Sequence, residues 1–153
     1  MPADAARAKL SGMGETILRA HVTASLARGV QRLLVDHGFA PVLELPLGNG
    51  RRADIAALGP KGEVWIVETK SCRADFTADA KWPDYGEYCD RFYFAVAEDF
   101  PHDLVPPHVG LIVADGFGGA ILRTPADAPL AGARRKAMTL AIARLAALRL
   151  AQL

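Results

Sequence analysis

The chain has 153 residues, 51% of them hydrophobic, which is enough for one domain with a sizeable core. Its formal net charge of +1 excludes a strong overall attraction to nucleic acid, so any such binding must use local basic patches. No apolar run is long enough to span a membrane and no hydrophobic signal segment is present, so we expect a cytoplasmic protein without membrane contacts.

The predicted elements alternate between helix and strand and indicate a single α/β domain. Residues 1–13 are rich in alanine with scattered charge and are expected to be loose, and residues 14–153 form the domain. A helix is predicted from Glu15 to about His37, because an apolar stripe recurs there at spacings of three and four, consisting of Leu18, Val22, Leu26, Val30 and Leu33. The later predicted elements are strands over 39–47, 52–58, 64–70 and 91–97, a short helix over 73–82, a hairpin of 109–114 with 120–123, and a helix from about 132 to 153.

The second and third predicted strands place two acids and a lysine near one end of the sheet. The turn between them, residues 59–62, has proline in its second position and predicts a three-residue loop with a bulge at its last glycine. Counting back from that loop puts Asp54 opposite Glu68, and strand alternation puts Lys70 on the same face as both acids. A two-residue loop would shift the register by one and send Asp54 to the other face.

An acid, a second acid and a lysine two residues later form a pattern typical of metal-dependent phosphodiester hydrolysis. Two facing carboxylates repel each other, and Mg²⁺ or Mn²⁺ would remove that repulsion because these ions prefer oxygen ligands. Asp54 and Glu68 would hold the metal, with the backbone carbonyl of Thr69 as a further ligand. Lys70 would orient the attacking water or stabilise charge in the transition state. The alternative is a plain ion pair of Glu68 with Lys70 on one face.

These residues resemble the PD-(D/E)XK nuclease superfamily, and residues 50–101 resemble the MmcB-type bacterial DNA-repair family within it. The resemblance implies a restriction-endonuclease-like core of a helix, three antiparallel strands, a helix and a further strand, to which this chain adds a hairpin and a C-terminal helix. It also implies a role in the response to DNA damage. Ala53 departs from the superfamily pattern, which has proline there. The stretches that carry the resemblance are Arg51-Arg52-Ala53-Asp54, Glu68-Thr69-Lys70-Ser71, Asp75-Phe76 and Lys81-Trp82-Pro83-Asp84-Tyr85.

A third acid is a candidate supporting ligand for the metal. Extending the apolar stripe of the first helix backwards reaches Glu15, and the superfamily often carries an acid on that helix. The alternative role of Glu15 is that of a first-turn acid favoured by the helix dipole. Glu44, on the strand before Asp54, competes for the same role, and the sequence ranks Glu15 slightly ahead.

Basic and aromatic residues bracket the acidic pair in sequence and are the candidates for DNA binding. Arginine and lysine would contact phosphates, and aromatic rings would stack on bases. Ordinary solvation or core packing explains each of these residues equally well. The candidates are Arg51, Arg52, Arg73, Lys81, Trp82 and Tyr85.

The last predicted helix carries one apolar stripe that should pack on the sheet, and three leucines outside that stripe. The extra leucines hint at a homodimer. The stripe consists of Met138, Ala141, Ile142, Leu145 and Leu148, and the leucines outside it are Leu140, Leu150 and Leu153.

The sequence as a whole predicts a nuclease that binds DNA and hydrolyses phosphodiesters with Mg²⁺ or Mn²⁺ in DNA repair, where other repair proteins would be its partners. The main alternative is a non-catalytic DNA-binding or scaffolding module of a repair complex that retains a nuclease-like fold. A small-molecule hydrolase would instead require a deep closed pocket and fewer exposed basic residues.

Overall fold

The structure, a computed structural model, describes residues 2–73, 76 and 81–152. Two short 3₁₀ helices span Trp82–Tyr88 and His102–Leu104. In these residues no helix is both long enough and apolar enough to cross a membrane. The other elements are helix α1 (Pro2–Asp36), strands β1 (Ala40–Pro46), β2 (Arg52–Leu58), β3 (Val64–Lys70), β4 (Arg91–Val96), β5 (Gly110–Ala114) and β6 (Gly119–Arg123), and helix α2 (Gly132–Leu150).

The predicted α/β class and the predicted strands and hairpin are confirmed, with strand ends that differ by at most one residue. The predicted helix over 73–82 is described only in part. Arg73 and Phe76 are helical, Trp82 already belongs to a 3₁₀ helix, and residues 74, 75 and 77–80 lie outside the described residues. Asp75 of the predicted Asp75-Phe76 stretch is among those not described.

The six strands lie in one sheet in the order of the chain. β1, β2 and β3 are antiparallel, β4 and β5 run parallel to β3, and β6 returns antiparallel to β5. The carboxyl ends of β1, β3, β4 and β5 and the amino end of β2 therefore lie at one edge of the sheet. We call it the carboxyl edge, and Glu44, Asp54, Glu68 and Lys70 lie along it.

Helices cover both faces of the sheet, which explains why the middle of β3 is apolar on both sides. α1 packs on one face through Leu26, Val30 and Leu34, and α2 packs on the other through Met138 and Ile142. Part of the predicted α2 stripe is wrong, since the side chain of Leu148 is exposed. Two of the three leucines outside the stripe, Leu140 and Leu150, are also exposed, and Leu153 lies outside the described residues.

α1 begins at Pro2, so the predicted helix start at Glu15 was wrong. Residues 2–13, which were expected to be loose, continue the helix, because alanine, leucine, lysine and arginine are all strong helix formers. The first half of α1 projects past the carboxyl edge and has no sheet beneath it. Leu18, which the predicted stripe placed on the core, is consequently 63% exposed.

The hairpin between β2 and β3 has the register that its turn residues predicted. Gly62 adopts a left-handed backbone with φ of 88°, and the N–H of Gly59 donates to the carbonyl of Glu63 at 2.7 Å. Ile55 pairs with Val67 in the ladder, and continuing this register places Asp54 opposite Glu68. The local turn chemistry thus aligns the two acids.

The edge opposite the carboxyl edge is held together by one buried aspartate. The carboxylate of Asp90 accepts the backbone N–H of Val64 at 2.8 Å and that of Leu130 at 2.9 Å. It also accepts two hydrogen bonds from the guanidinium of Arg135, at 2.8 and 2.6 Å. A single side chain therefore ties β3 and β4 to the first turn of α2.

Candidate active site

Where the ladder between β2 and β3 ends, the carboxylates of Asp54 and Glu68 each accept a backbone hydrogen bond from the neighbouring strand. Glu68 Oε1 accepts the backbone N–H of Asp54 at 2.9 Å. Asp54 Oδ2 accepts the N–H of Thr69 at 2.9 Å and its hydroxyl at 3.2 Å. Each carboxylate thus accepts a backbone N–H at the strand end, and the two carboxyl groups also lie within hydrogen-bond reach of each other.

Strand alternation breaks at Asp54. Asp54 therefore does not lie on the face that the sequence predicted it to share with Glu68 and Lys70. Ile55 packs in the core under α1, whereas Ala53 packs in the core under α2, so the two neighbours of Asp54 belong to opposite faces. On β1, Glu44 adopts a left-handed backbone with φ of 52°, which is costly for a residue other than glycine. The two acids therefore meet at the open end of the strands, with Asp54 turned toward the α1 side.

Glu68 is only 5% exposed, and its environment disfavours its charged form. Burial first, and then the charge of Asp54, raise the pKa of Glu68 to about 9. The ammonium of Lys70 acts in the opposite direction and lowers the pKa of Glu68, which shows that these three side chains form one electrostatic unit. At neutral pH, Glu68 therefore holds a proton beside Asp54 as long as no cation is bound.

A cavity of about 630 Å³ opens on the α1 side of this unit. Its polar lining residues are Thr23 of α1, Glu44 of β1, Asp54, Thr69 and Arg149. Glu15, which the sequence ranked ahead of Glu44 as a supporting acid, is exposed on the projecting half of α1 and does not line this cavity. The structure therefore places Glu44, and not Glu15, beside Asp54.

Arg149 was not among the site residues that the sequence predicted. It lies at the end of α2, far along the chain from the acidic motif, and carries no local signal. Only the packing of α2 across the sheet brings Arg149 to the carboxyl edge, where it lines the cavity with Glu44 and Asp54. Within the described part of the chain, its guanidinium has no ion pair.

The predicted DNA-binding residues occupy quite different environments. Arg51 forms an ion pair with Asp84 at 3.2 Å and Arg52 forms one with Glu44 at 3.6 Å, while Arg73 and Lys81 are exposed. All four are therefore at the protein surface or close to it.

The two aromatic candidates contribute mainly to the core. Tyr85 is 8% exposed, its ring stacks on Phe92, and its hydroxyl donates to the carbonyl of Arg52 at 3.2 Å. The prediction that Tyr85 stacks on a base was therefore wrong. Trp82 is half-buried and packs against Phe92 and Phe94.

The donor set fits a magnesium-type ion better than a zinc-type one. The described residues include no group of three or more His, Cys, Asp or Glu side chains that could hold a metal. Mg²⁺ commonly needs only one or two protein carboxylates, with water and substrate oxygens completing its shell. Asp54 and Glu68, close enough to share a proton, provide such a pair.

Comparison with known proteins identifies relatives. A family model described as DNA repair protein MmcB-like matches residues 16–153. A solved structure, described as SPO1766 protein of unknown function from Silicibacter pomeroyi, is 50% identical in sequence. The similarity covers 82% of this chain and 86% of that one, with a TM-score of 0.80. No curated protein matches the chain.

Proposed function

The chain belongs to the MmcB-like DNA repair protein family, and from this premise we propose that it hydrolyses DNA phosphodiester bonds at the Asp54–Glu68 site with Mg²⁺ or Mn²⁺. The observation that carries the proposal is the buried Glu68, which sits beside a second acid and a lysine at an open sheet edge. A purely structural carboxyl group would not be expected in so unfavourable an environment unless a cation joins it.

Each residue of the site has a defined part in this proposal. Asp54 and Glu68 would hold the metal through the oxygens that no backbone group occupies, with the carbonyl of Thr69 as the proposed third ligand. Thr69 also fixes the orientation of Asp54 through its N–H and hydroxyl. Once bound, the metal would polarise a phosphoryl oxygen and lower the pKa of a water molecule.

Lys70 supplies the positive charge that the proposed reaction needs next to the acids. It closes β3 and lies close enough to influence the pKa of Glu68. There its ammonium would orient the attacking water or stabilise the negative charge that develops on the phosphate. Such a role makes Lys70 necessary for turnover but not for metal binding.

One observation favours a second candidate, a non-catalytic DNA-binding or scaffolding module of a repair complex. Both acids already accept backbone hydrogen bonds, so the pair also has a structural role at the strand ends. A protein that used the pair only in this way would bind DNA and repair partners without cutting.

Cleavage of single-stranded, duplex and branched DNA with Mg²⁺ or Mn²⁺ tests the proposal, with Lys70→Ala beside the wild type. Lys61→Ala, at the exposed hairpin turn, is the matched lysine control. Cutting that disappears in Lys70→Ala and persists in Lys61→Ala supports hydrolysis. Equal cutting by all three proteins indicates a contaminant, and DNA binding without cutting supports the scaffolding candidate.

A further inference from the structure

The cavity beside Asp54 has one polar end and one apolar wall. Glu44, Asp54 and Thr69 form the polar end, at the carboxyl edge. One wall consists of Ala20, Ala24 and Ala27 of α1, which carry no atoms beyond Cβ and leave the helix surface flat. Its volume of about 630 Å³ lies within the range of small-molecule sites, which are mostly apolar with a few polar groups that fix orientation.

Arg149 gives this cavity a cation in addition to its acids. It lines the cavity together with Glu44 and Asp54 and forms an ion pair with neither, so its guanidinium is available to another group. A planar guanidinium binds phosphate oxygens through paired hydrogen bonds, more specifically than an ammonium does. The arrangement suits a phosphate bound by Arg149, and a cation held at Asp54 would offset the repulsion between that phosphate and the acids.

We propose that this cavity binds one unpaired nucleotide of a DNA strand, with Arg149 holding its phosphate and the alanine wall of α1 contacting its sugar and base. This inference rests on the proposed function, since the phosphate is that of the DNA substrate. The cavity lies between α1 and the strand ends, so a base would have to leave its pairing partner and its stack to reach the alanine wall. The preferred substrate is therefore a single strand or an unpaired strand end.

Fluorescence anisotropy with a labelled single-stranded oligonucleotide and the matching duplex tests this, with Ca²⁺ in place of Mg²⁺ so that binding is read without cutting. The variants are Arg149→Ala, Ala24→Leu to fill the cavity, and Arg144→Ala as control. Arg144 is an exposed arginine on the same helix that does not line the cavity. Thermal unfolding of each variant establishes that it is folded.

We expect the wild type to prefer the single strand, and Arg149→Ala to weaken that binding about tenfold or more, the effect of losing a charge-assisted phosphate contact. Ala24→Leu should weaken it comparably although Arg149 is intact, and Arg144→Ala should stay within about twofold. Equal losses in Arg149→Ala and Arg144→Ala, unchanged binding by Ala24→Leu, or equal affinity of the wild type for duplex would overturn the proposal. Binding that follows this pattern in a protein that never cuts would refute hydrolysis and leave the nucleotide site standing.

Discussion

The backbone N–H of Asp54 donates to the carboxylate of Glu68 at 2.9 Å, where β2 and β3 part. In an uninterrupted antiparallel ladder a carbonyl would accept that proton. Because the carboxylate of Glu68 accepts this hydrogen bond in place of a backbone carbonyl, the side chain of Glu68 is held beside Asp54 and away from water. The strand ends thereby hold two carboxyl groups close together, an arrangement that favours a shared proton or a bound cation.

The stability of the metal-free protein should depend on pH through Glu68. Its folded-state pKa of about 9 exceeds its ordinary value of 4.5, so the folded protein binds more protons between these values. The free energy of unfolding therefore falls as pH rises from about 4.5 to about 9. Glu68→Gln keeps an acceptor for Asp54 without the charge, and at pH 8 it should be more stable than wild type by on the order of 1–3 kcal/mol.

Urea unfolding in EDTA at pH 5 and pH 8 measures this difference. Glu87→Gln, at an exposed acid, is the control and should follow the wild type at both values of pH. Addition of Mn²⁺ should stabilise the wild type and not Glu68→Gln. A wild type and a Glu68→Gln variant with the same pH dependence would show that Glu68 is not the buried acid described above.

The hydroxyl of Thr69 should matter because it orients Asp54. Thr69→Val removes the 3.2 Å hydrogen bond to Asp54 Oδ2 and keeps the backbone one. Loss of such a supporting contact typically weakens metal affinity by about 10- to 100-fold. Isothermal titration with Mn²⁺ measures it, and Thr69→Ser, which retains the hydroxyl, should restore most of the affinity. A Thr69→Val variant that binds Mn²⁺ as tightly as the wild type would mean that the hydroxyl does not orient Asp54 for the metal.

Asp90 should be the main electrostatic contributor to stability at the opposite edge. Burial acts to raise the pKa of Asp90, but hydrogen bonds from Arg135 and from the backbone N–H groups of Val64 and Leu130 prevail and lower it to about 2. A lowered pKa contributes stability that is present above about 3.8 and is lost as pH falls through about 2. Asp90→Ala removes the acceptor of the Val64 and Leu130 N–H groups and of Arg135, and it should cost about 2–4 kcal/mol at pH 7.

Guanidinium unfolding at pH 7 and at pH 3 measures the effect of Asp90, and the difference from wild type should shrink at the lower pH. Asp127→Ala is the comparison, because Asp127 pairs with Arg91 at 2.5 Å at the surface, where its side chain is 62% exposed. We expect little change from that variant. Comparable losses in the two variants would contradict the structural role of Asp90.

Gly29 should be required for the contact between α1 and the β5–β6 hairpin. A Cβ at this position would collide with the carbonyl oxygens of Asp115 and Gly118, which are backbone atoms with little freedom to move. Gly29→Ala should therefore destabilise the protein by about 1–3 kcal/mol. Gly14→Ala on the same helix has open space around it and should stabilise by up to about 1 kcal/mol. Thermal unfolding of both variants measures these changes, and equal shifts in Tm would argue against the close contact of Gly29 with the β5–β6 hairpin.

Much of the sheet followed from local signals. The alternation and apolar runs predicted the strands, and the turn at residues 59–62 predicted the register that sets Asp54 opposite Glu68. These predictions succeeded because turn conformation and strand pairing next to a turn depend on a few adjacent residues. The predicted start of α1 was wrong because it relied on the apolar stripe, whereas helix propensity alone extends the helix through residues that have nothing to pack against.

By itself, then, the sequence determined which two acids lie opposite each other in the strand register and which lysine follows them, because a proline and a glycine in one short turn control that register. Tertiary structure alone decided that Glu44 rather than Glu15 lies beside Asp54, that Tyr85 is buried, and that Arg149 reaches the carboxyl edge. Each of these outcomes depends on how far a helix projects past the sheet and on which elements pack across it. Such distances arise from contacts between residues that are remote in the chain, and no local pattern encodes them.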